Sequence, residues 1–406
     1  MEPLDLSLPE GRFALRPAWS RAEVGAATQS LLDRFADRLP ADRGARVVIK
    51  PNLNNDLPAL TGNSTDLRLI DALLAALRDR GYHHLTVADG SNVGVARRGI
   101  DVARRLRLDR LLLRHGARFV DLNQDRGDMV VLRNGARPRV AATITEAELL
   151  LSLPTVKTHA EAGLSCAMKN WVGVTIGQDK RHMHRDLGGN IFALSEVLRP
   201  HLILVDGLVG MEGNGPGDGD PVRLGFVAAG DDPVLVDFLI AGLVGIDWQT
   251  VPALRAAEVA GRRSPALALP RLATLRPPPP RSALARLADA RPLHALKVAL
   301  RPLTQLPAVA ALAKRAQVIQ DVYSLEDDGV TGLHREAARC GDCDRCVAFC
   351  PTGLPLAEIG ARPEPAACVG CLYCYWACPK GAITLDGPLH HLQGQIARYK
   401  LEIERL

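Results

Sequence analysis

At 406 residues and 47% hydrophobic content, the chain is long enough for two or three domains and apolar enough for a large core. Its net charge of +5 comes from 42 Arg and 8 Lys against 45 acids, a surplus too small to argue for a nucleic-acid partner. No apolar run reaches the ~18 residues that span a bilayer, and the N-terminus lacks the basic-then-apolar pattern of a leader, so a cytoplasmic chain without a transmembrane segment is expected.

Ser20 and Glu23 form a capping-box pattern ahead of Val24, Leu31, Leu32, Phe35 and Leu39, which predicts a first helix. Strand and helix then alternate. Arg46 to Lys50 reads as a buried strand ending in the polar loop Pro51 to Asp56, and Asp66 to Arg80 as a helix stopped by Gly81. Leu85 to Ala88 is the next strand, ending in Asp89-Gly90-Ser91-Asn92, and a second helix is expected to run to Gly116 before a strand at Phe119 to Leu122. Asn134-Gly135 between two apolar runs predicts a hairpin with a type I′ turn, inserted at a sheet edge. Leu149 to Leu153 is again a buried strand, followed by a polar run to His159 and a helix-like run from Leu164 to Val172. A helix at Ile191 to Leu198, a strand at Leu202 to Val205, a Gly-rich loop at Gly210 to Asp220, a strand at Arg223 to Ala228 and a helix at Val234 to Val244 follow. The order β-α-β-α predicts an α/β domain, an open mostly parallel sheet flanked by helices, over residues 1–262.

Near Arg262 the composition changes. Pro265, Pro270 and the run Pro277 to Pro280 mark a linker, and Arg281 to Val318 has amphipathic helical spacing broken at Pro302 and Pro307. The expected division is therefore a linker with amphipathic helices over 263–335, a small α+β domain over 336–388, and a C-terminal helix over 389–406.

The chemistry expected of the small domain comes from cysteines. Eight of the nine fall in two runs reading CxxCxxCxxxCP: Cys340, Cys343, Cys346, Cys350 with Pro351, and Cys368, Cys371, Cys374, Cys378 with Pro379. In such runs three thiolates converge on one iron-sulfur cube and the fourth ligates the other, so two 4Fe-4S clusters are expected. One would be held by Cys340, Cys343, Cys346 and Cys378, the other by Cys368, Cys371, Cys374 and Cys350. The segment resembles the bacterial two-cluster ferredoxin. Disulfide scaffolds and zinc sites are the competing readings, but the first belongs to small secreted chains and the second uses paired spacings. Cys166, far from the runs, reads as a small core residue, with a nucleophile as its alternative.

A second constellation is built on lysine. Where Arg is the routine cation, Lys50, Lys157, Lys169 and Lys180 cluster at or beside strand-end loops, and a buried ammonium can bind an anion or trade a proton. Lys157, His159, Lys169 and Asn170 could converge on one anionic group, Lys157, His159 and Lys169 in catalytic roles. His182 and His184 could chelate a metal from extended chain or form an anion-binding lid. Glu212, Asp218 and Asp220 among glycines could hold a divalent metal or sit in a mobile lid.

Lys50-Pro51-Asn52, Leu153-Pro154-Thr155-Val156-Lys157-Thr158-His159, Met168-Lys169-Asn170 with Gly173, and Asp206-Gly207 through Glu212-Gly213-Asn214-Gly215-Pro216 resemble the domain of unknown function 362 family over roughly residues 45–245, fused to a ferredoxin-like module. The resemblance implies an α/β domain linked to iron-sulfur clusters and carries no settled reaction. Lys50, Asn52, Asn170, Asp206 and Glu212 are the expected ligand-binding positions. The favoured function is a ferredoxin-coupled oxidoreductase acting on a small anionic ligand and served by a redox partner protein. A non-catalytic electron-transfer subunit and a redox-sensing ligand-binding protein are the alternatives.

Overall fold

The computed structural model describes residues 1–177, 179–279, 324–341 and 343–406 with positions 303, 306, 308, 309 and 312, the side chains of residues 181, 182 and 185 excepted. The expected helices of 281–318 and the His182 half of the histidine pair lie outside the described residues.

The chain opens with an antiparallel pair, β1 (Leu4–Leu8) and β2 (Gly11–Pro17), and the helix Arg21–Arg34, before β3 (Val47–Pro51), β4 (Leu85–Asp89) and β5 (Arg118–Asp121). A separate small pair, β6 (Gly127–Met129) and β7 (Arg139–Ala141), precedes β8 (Leu149–Leu153), β9 (Thr155–His159) and β10 (Gly163–Ser165). The hairpin of β11 (Leu202–Asn214) and β12 (Asp218–Gly230) and the helices Pro233–Leu243 and Pro252–Val259 complete the α/β body.

In space β5, β4, β3, β8 and β11 lie side by side and parallel, while β12, β2 and β1 extend the sheet antiparallel from β11. In chain order the parallel strands stand third, second, first, fourth and fifth. Winding therefore reverses between β3 and β8, and open α/β sheets bind ligands outside the carboxyl ends of the strands at such a reversal. Alternate β3 residues serve opposite faces: Val47 and Ile49 join a core with Leu31, Leu32, Leu73 and Leu77, whereas Val48 joins one with Leu194 and Trp171. Both faces are covered, which explains why these strands read as unbroken apolar runs.

The capping box is present: the Glu23 amide donates to Ser20 Oγ at 3.3 Å and the Ser20 amide to the Glu23 carboxylate at 2.8 Å. Ser20→Ala should lower stability by about 1 kcal/mol, read from the shift in urea midpoint.

Four local expectations are corrected. The helix to Gly116 is three short ones, Val93–Ala96, Val102–Arg105 and Leu108–Arg114, because Gly99 and Arg107 take left-handed backbone between them. The run Leu164 to Val172 contains β10, the one-turn helix Ala167–Asn170 and a tighter turn at Trp171–Val174, since β10 pairs back onto β9. The Asn134-Gly135 turn is not type I′. Bonds Val130 to Pro138 and Leu132 to Ala136 leave a three-residue loop with only Gly135 at positive φ, so the Asn134 side chain is free to accept from the Ala136 amide. Finally, Gly210 to Asp220 is no loose loop: β11 and β12 stay paired from Val209↔Arg223 out to Asn214↔Asp218.

Beyond the linker, β13 (Gly332–Arg335) pairs antiparallel with β14 (Ile383–Asp386), among the short helices Ala337–Cys340, Arg345–Phe349 and Tyr373–Ala377 and ahead of the helix His391–Glu404. This small unit shares an apolar core with the body. Phe349, Leu372, Tyr373, Trp376, Leu392 and Ile403 pack in the same cluster as Leu67 and Leu69, and Trp19 meets Phe349 edge-on at 5.3 Å. Arg398 adds ion pairs to Asp218 and Asp220 of β12.

Candidate functional site

The carboxyl ends of β3, β4 and β8 converge on a buried ion pair. Lys50, 1% exposed, lies 2.7 Å from Asp89 and donates to Pro51 O at 2.7 Å and Asn170 Oδ1 at 2.9 Å. Its three protons are thus placed. Asn170 is equally engaged, its amide donating to Lys50 O at 3.1 Å and Ser152 Oγ at 3.0 Å. Burial pulls the Lys50 pKa down and Asp89 opposes the shift. Lys50 and Asn170 are a clamp across three strands and have no hydrogen left for a ligand.

Lys157, Lys169 and His159 are different. Lys157 donates to Asn52 Oδ1 at 2.8 Å and to the carbonyl of Asn63, and burial, aided by the charge of Lys169, lowers its pKa to about 7. Lys169 is half-buried and makes no hydrogen bond or ion pair among the described residues; burial lowers its pKa to about 8 against the pull of Glu161. His159 Nδ1 accepts the amides of Glu161 at 3.1 Å and Ala162 at 3.2 Å, which leaves the proton on Nε2. Burial, then Lys169, His184 and Lys157, hold this ring neutral. Asn63, fully buried, keeps Oδ1 without a partner. Cations that depress each other's pKa, beside a spare N–H, form an environment that an anion would relieve.

Other expected positions fall elsewhere. Asp206 caps the start of the helix Leu67–Asp79, accepting the Asp66 amide at 2.7 Å and the Leu208 amide at 3.1 Å; burial and the neighbouring Asp66 raise its pKa to about 7. Glu212 is on the hairpin, bonded to Arg276 at 2.6 Å, and Arg276 and Arg398 also take up Asp220. The hairpin carboxylates Glu212, Asp218 and Asp220 are engaged as ion-pair partners of Arg276 and Arg398. His184 pairs with Glu161 at 2.8 Å. Lys180 donates to Asn123, with a pKa lowered by burial to about 8. Cys166 is buried beside Asp237, and burial pushes its thiol well up, which fits a core residue.

Sequence reasoning missed Asp89 as the partner of Lys50, and it missed the buried run 55–66, whose Thr65 receives the Asn52 amide at 2.7 Å. The signal was available: a stretch as polar as Asn63-Ser64-Thr65-Asp66 that is not surface loop must be ordering its own hydrogen bonds.

The thiols sort into two groups. Burial raises the Cys346 pKa to about 11, and the thiols that add to it are Cys340, Cys378 and Cys343. Cys371 is raised by burial and by Cys374, Cys350 and Cys368, while Cys374 also feels Cys346 across the gap. One cavity is lined by Cys350, Cys368, Cys371 and Cys374 together with Leu354, Ile359 and Tyr373. The last cysteines of the two runs are set alike, Cys350 Sγ accepting the Leu354 amide at 3.4 Å and Cys378 Sγ the Ala382 amide at 3.3 Å. Four sulfurs around an apolar cavity, backed by N–H donors, suit a thiolate-bound cube, which spaces its ligands more widely than one zinc ion does.

The two constellations meet. Cys371 and Tyr373 line a second cavity together with Thr65 and Leu67, and the Leu67 amide donates to the Tyr373 hydroxyl at 3.0 Å.

Comparison with known proteins agrees with this layout. Residues 47–242 match the model of the Domain of unknown function (DUF362), and residues 362–384, which hold the second cysteine run, match that of the 4Fe-4S binding domain (Fer4). The chain is an iron-sulfur protein that joins these two domains. It is 32% identical over 130 residues to a thylakoid-associated protein of Synechocystis sp., a match covering 30% of this chain and 40% of that one. Lactate racemase apoprotein from Thermoanaerobacterium thermosaccharolyticum is similar at TM-score 0.37 and 13% identity, over 64% of this chain and 62% of that one. A Thermotoga maritima protein gives 0.34 and 10%, over 60% and 59%. The chain thus spans less than two thirds of each. No helix among the described residues is long and apolar enough to cross a membrane.

Proposed function

We propose that the chain is an oxidoreductase with two 4Fe-4S clusters, one held by Cys340, Cys343, Cys346 and Cys378 and the other by Cys368, Cys371, Cys374 and Cys350. The cluster-bearing unit, residues 336–388, would serve an anionic substrate or organic cofactor bound to the α/β body at the winding reversal. The observation that carries this reading is the shared cavity: Cys371 and Tyr373 stand against Thr65 and Leu67, in the same buried run whose Asn63 carbonyl, with Asn52, receives Lys157. When bound, the clusters supply one-electron transfer.

The residues of the body would do the rest. Lys169, without a hydrogen bond or ion pair among the described residues, binds the anion as a point charge. Lys157, with a pKa near neutrality, holds or releases a proton at Nζ, and His159 Nε2–H donates a hydrogen bond. The Lys50–Asp89–Asn170 clamp ties the ends of β3 and β4 to the short helix that carries Lys169, and Asn52 orients Lys157. Cysteines used as cluster ligands rather than in disulfides fit a reducing, cytoplasmic setting.

Anaerobic purification with iron and sulfide analysis, EPR after dithionite and mass spectrometry of the retained small molecule test the proposal. Lys157→Ala and Lys169→Ala should each abolish retention while cluster content stays unchanged. Because an anion binds the protonated amines, its affinity should be greatest below pH about 7 and fall as pH rises through about 8, where Lys169 deprotonates. Retention unaffected by both variants would leave an electron-transfer subunit without its own substrate.

A further inference from the structure

The helix Leu108–Arg114 lies on the ligand loop of the second cysteine run. Arg114 donates to the carbonyl of Ala367, the residue before Cys368, at 3.2 Å. Arg110 packs over Gly370, the residue before Cys371, so closely that a Cβ there would stand 3.0 Å from its guanidinium. Positions 110, 113 and 114 share one helix face. Between the two arginines Leu113 is 78% exposed, a large apolar side chain in open solvent. Both arginines are exposed, and neither has a carboxylate partner among the described residues. Glu364 is a carboxylate beside Cys368, and Asp109, on the same helix as the two arginines, is partly buried.

The backbone around the patch is held under strain. Arg107 (φ +61°) and Leu372 (φ +63°) are the two non-glycine residues with left-handed backbone among the described residues, and both line the cavity that contains Cys371. Such conformations persist where surrounding structure enforces them and concentrate at functional positions. Here they fix the start of the arginine-bearing helix against the loop that carries two thiols.

We propose that Arg110, Leu113 and Arg114 form the docking surface for an acidic one-electron carrier protein of the ferredoxin or flavodoxin class. The proposal rests on the cluster reading above. Two cations without carboxylate partners among the described residues, flanking an exposed apolar residue, are complementary to a redox protein whose acidic rim surrounds an apolar contact over its cofactor, and they sit directly on the loop that carries Cys368 and Cys371. In the complex the reduced carrier loses one electron and the cluster of Cys350, Cys368, Cys371 and Cys374 gains it. No bond is made or broken and no proton moves.

The test is binding of the anaerobically prepared full chain to an acidic [2Fe-2S] ferredoxin and an acidic flavodoxin, with basic cytochrome c and anionic lipid vesicles as comparisons. Affinity for an acidic carrier should fall steeply as salt is raised to about 0.3 M and weaken at least about tenfold in Arg110→Glu/Arg114→Glu. Leu113→Ser should weaken it at unchanged salt dependence, and Arg110→Lys/Arg114→Lys should retain it. Iron content and EPR spectra should match the parent in every variant. Binding that ignores charge reversal, equal binding of cytochrome c, preference for vesicles, or no binding of either acidic carrier would overturn the docking surface. Missing iron and sulfide would instead overturn the cluster reading, and an unretained small molecule the substrate reading, so the failures are distinct.

Discussion

Cys378→Ala should remove the same cluster as Cys346→Ala, although the two residues lie in different runs. Cys378 stands among the thiols that raise Cys346, whereas Cys374 of the same run, raised by burial and then by Cys368, Cys346 and Cys350, lines one cavity with Cys350, Cys368 and Cys371. Each variant should lose about half of the iron and sulfide, and the EPR spectrum of the reduced protein should lose the splitting of two interacting centres. Cys374→Ala should lose the other half. If Cys378→Ala and Cys374→Ala emptied the same site, the crossed assignment would be wrong and each run would hold its own cluster. Because the cysteines also line a core with Leu354, Ile359 and Ala382, emptying either site should loosen this unit, seen as faster proteolysis of the region.

Asp89→Ala should be among the most destabilising single changes in the α/β body. Asp89 is 3% exposed, neutralises Lys50 at 2.7 Å and accepts the Leu53 amide at 2.5 Å. Its removal leaves an ammonium without a counter-charge at the junction of β3, β4 and β8. Removing one partner of a buried pair costs about 3–5 kcal/mol, read from the urea midpoint and slope. The pH dependence follows from the direction of the Lys50 shift. Burial lowers the folded-state pKa below the unfolded lysine value of about 10.4, so between the two the unfolded chain binds more protons and stability rises with pH. Without Asp89 the folded-state value drops further and the rising limb widens, so the deficit should shrink toward pH about 10. A deficit that is the same at neutral and alkaline pH would assign the loss to the Leu53 hydrogen bond rather than to the stranded charge. Lys50→Met/Asp89→Asn, which removes both charges, should be less damaging than Asp89→Ala.

How much was legible in the residues depended on how local the governing interaction is. The Ser20 capping box and the β3, β4 and β8 runs follow from neighbouring residues and the burial of both sheet faces, and they stand as read, while β11 starts where its apolar run starts and continues to Asn214. The failures share a different cause. The run 164–172 looked helical by apolar spacing, but β10 is held by pairing with β9, a contact its own composition does not announce. Gly210 to Asp220 looked mobile because glycine and acid mark loops, yet cross-strand pairing and two arginines, Arg276 and Arg398, hold it as the arms of a hairpin.

The candidate site divides in the same way. Scarce lysines at strand ends pointed to the region, because a residue type used sparingly is informative wherever it appears. Which lysine is available could not be read from identity: Lys50 and Lys169 differ only in what surrounds them, three bonded acceptors around one and, among the described residues, none bonded to the other. The spacing of the cysteines, by contrast, points to their chemistry without the fold, since three thiolates spaced three residues apart reach one cube from a short stretch of chain. The tertiary structure alone decided that this unit packs on the carboxyl-end crevice of the sheet, because that contact is made by Tyr373, Leu67, Trp19 and Phe349, ordinary apolar and aromatic residues far apart in sequence. Burial of apolar surface is non-directional, so it leaves no motif to read; it takes the folded chain to show which faces it brings together.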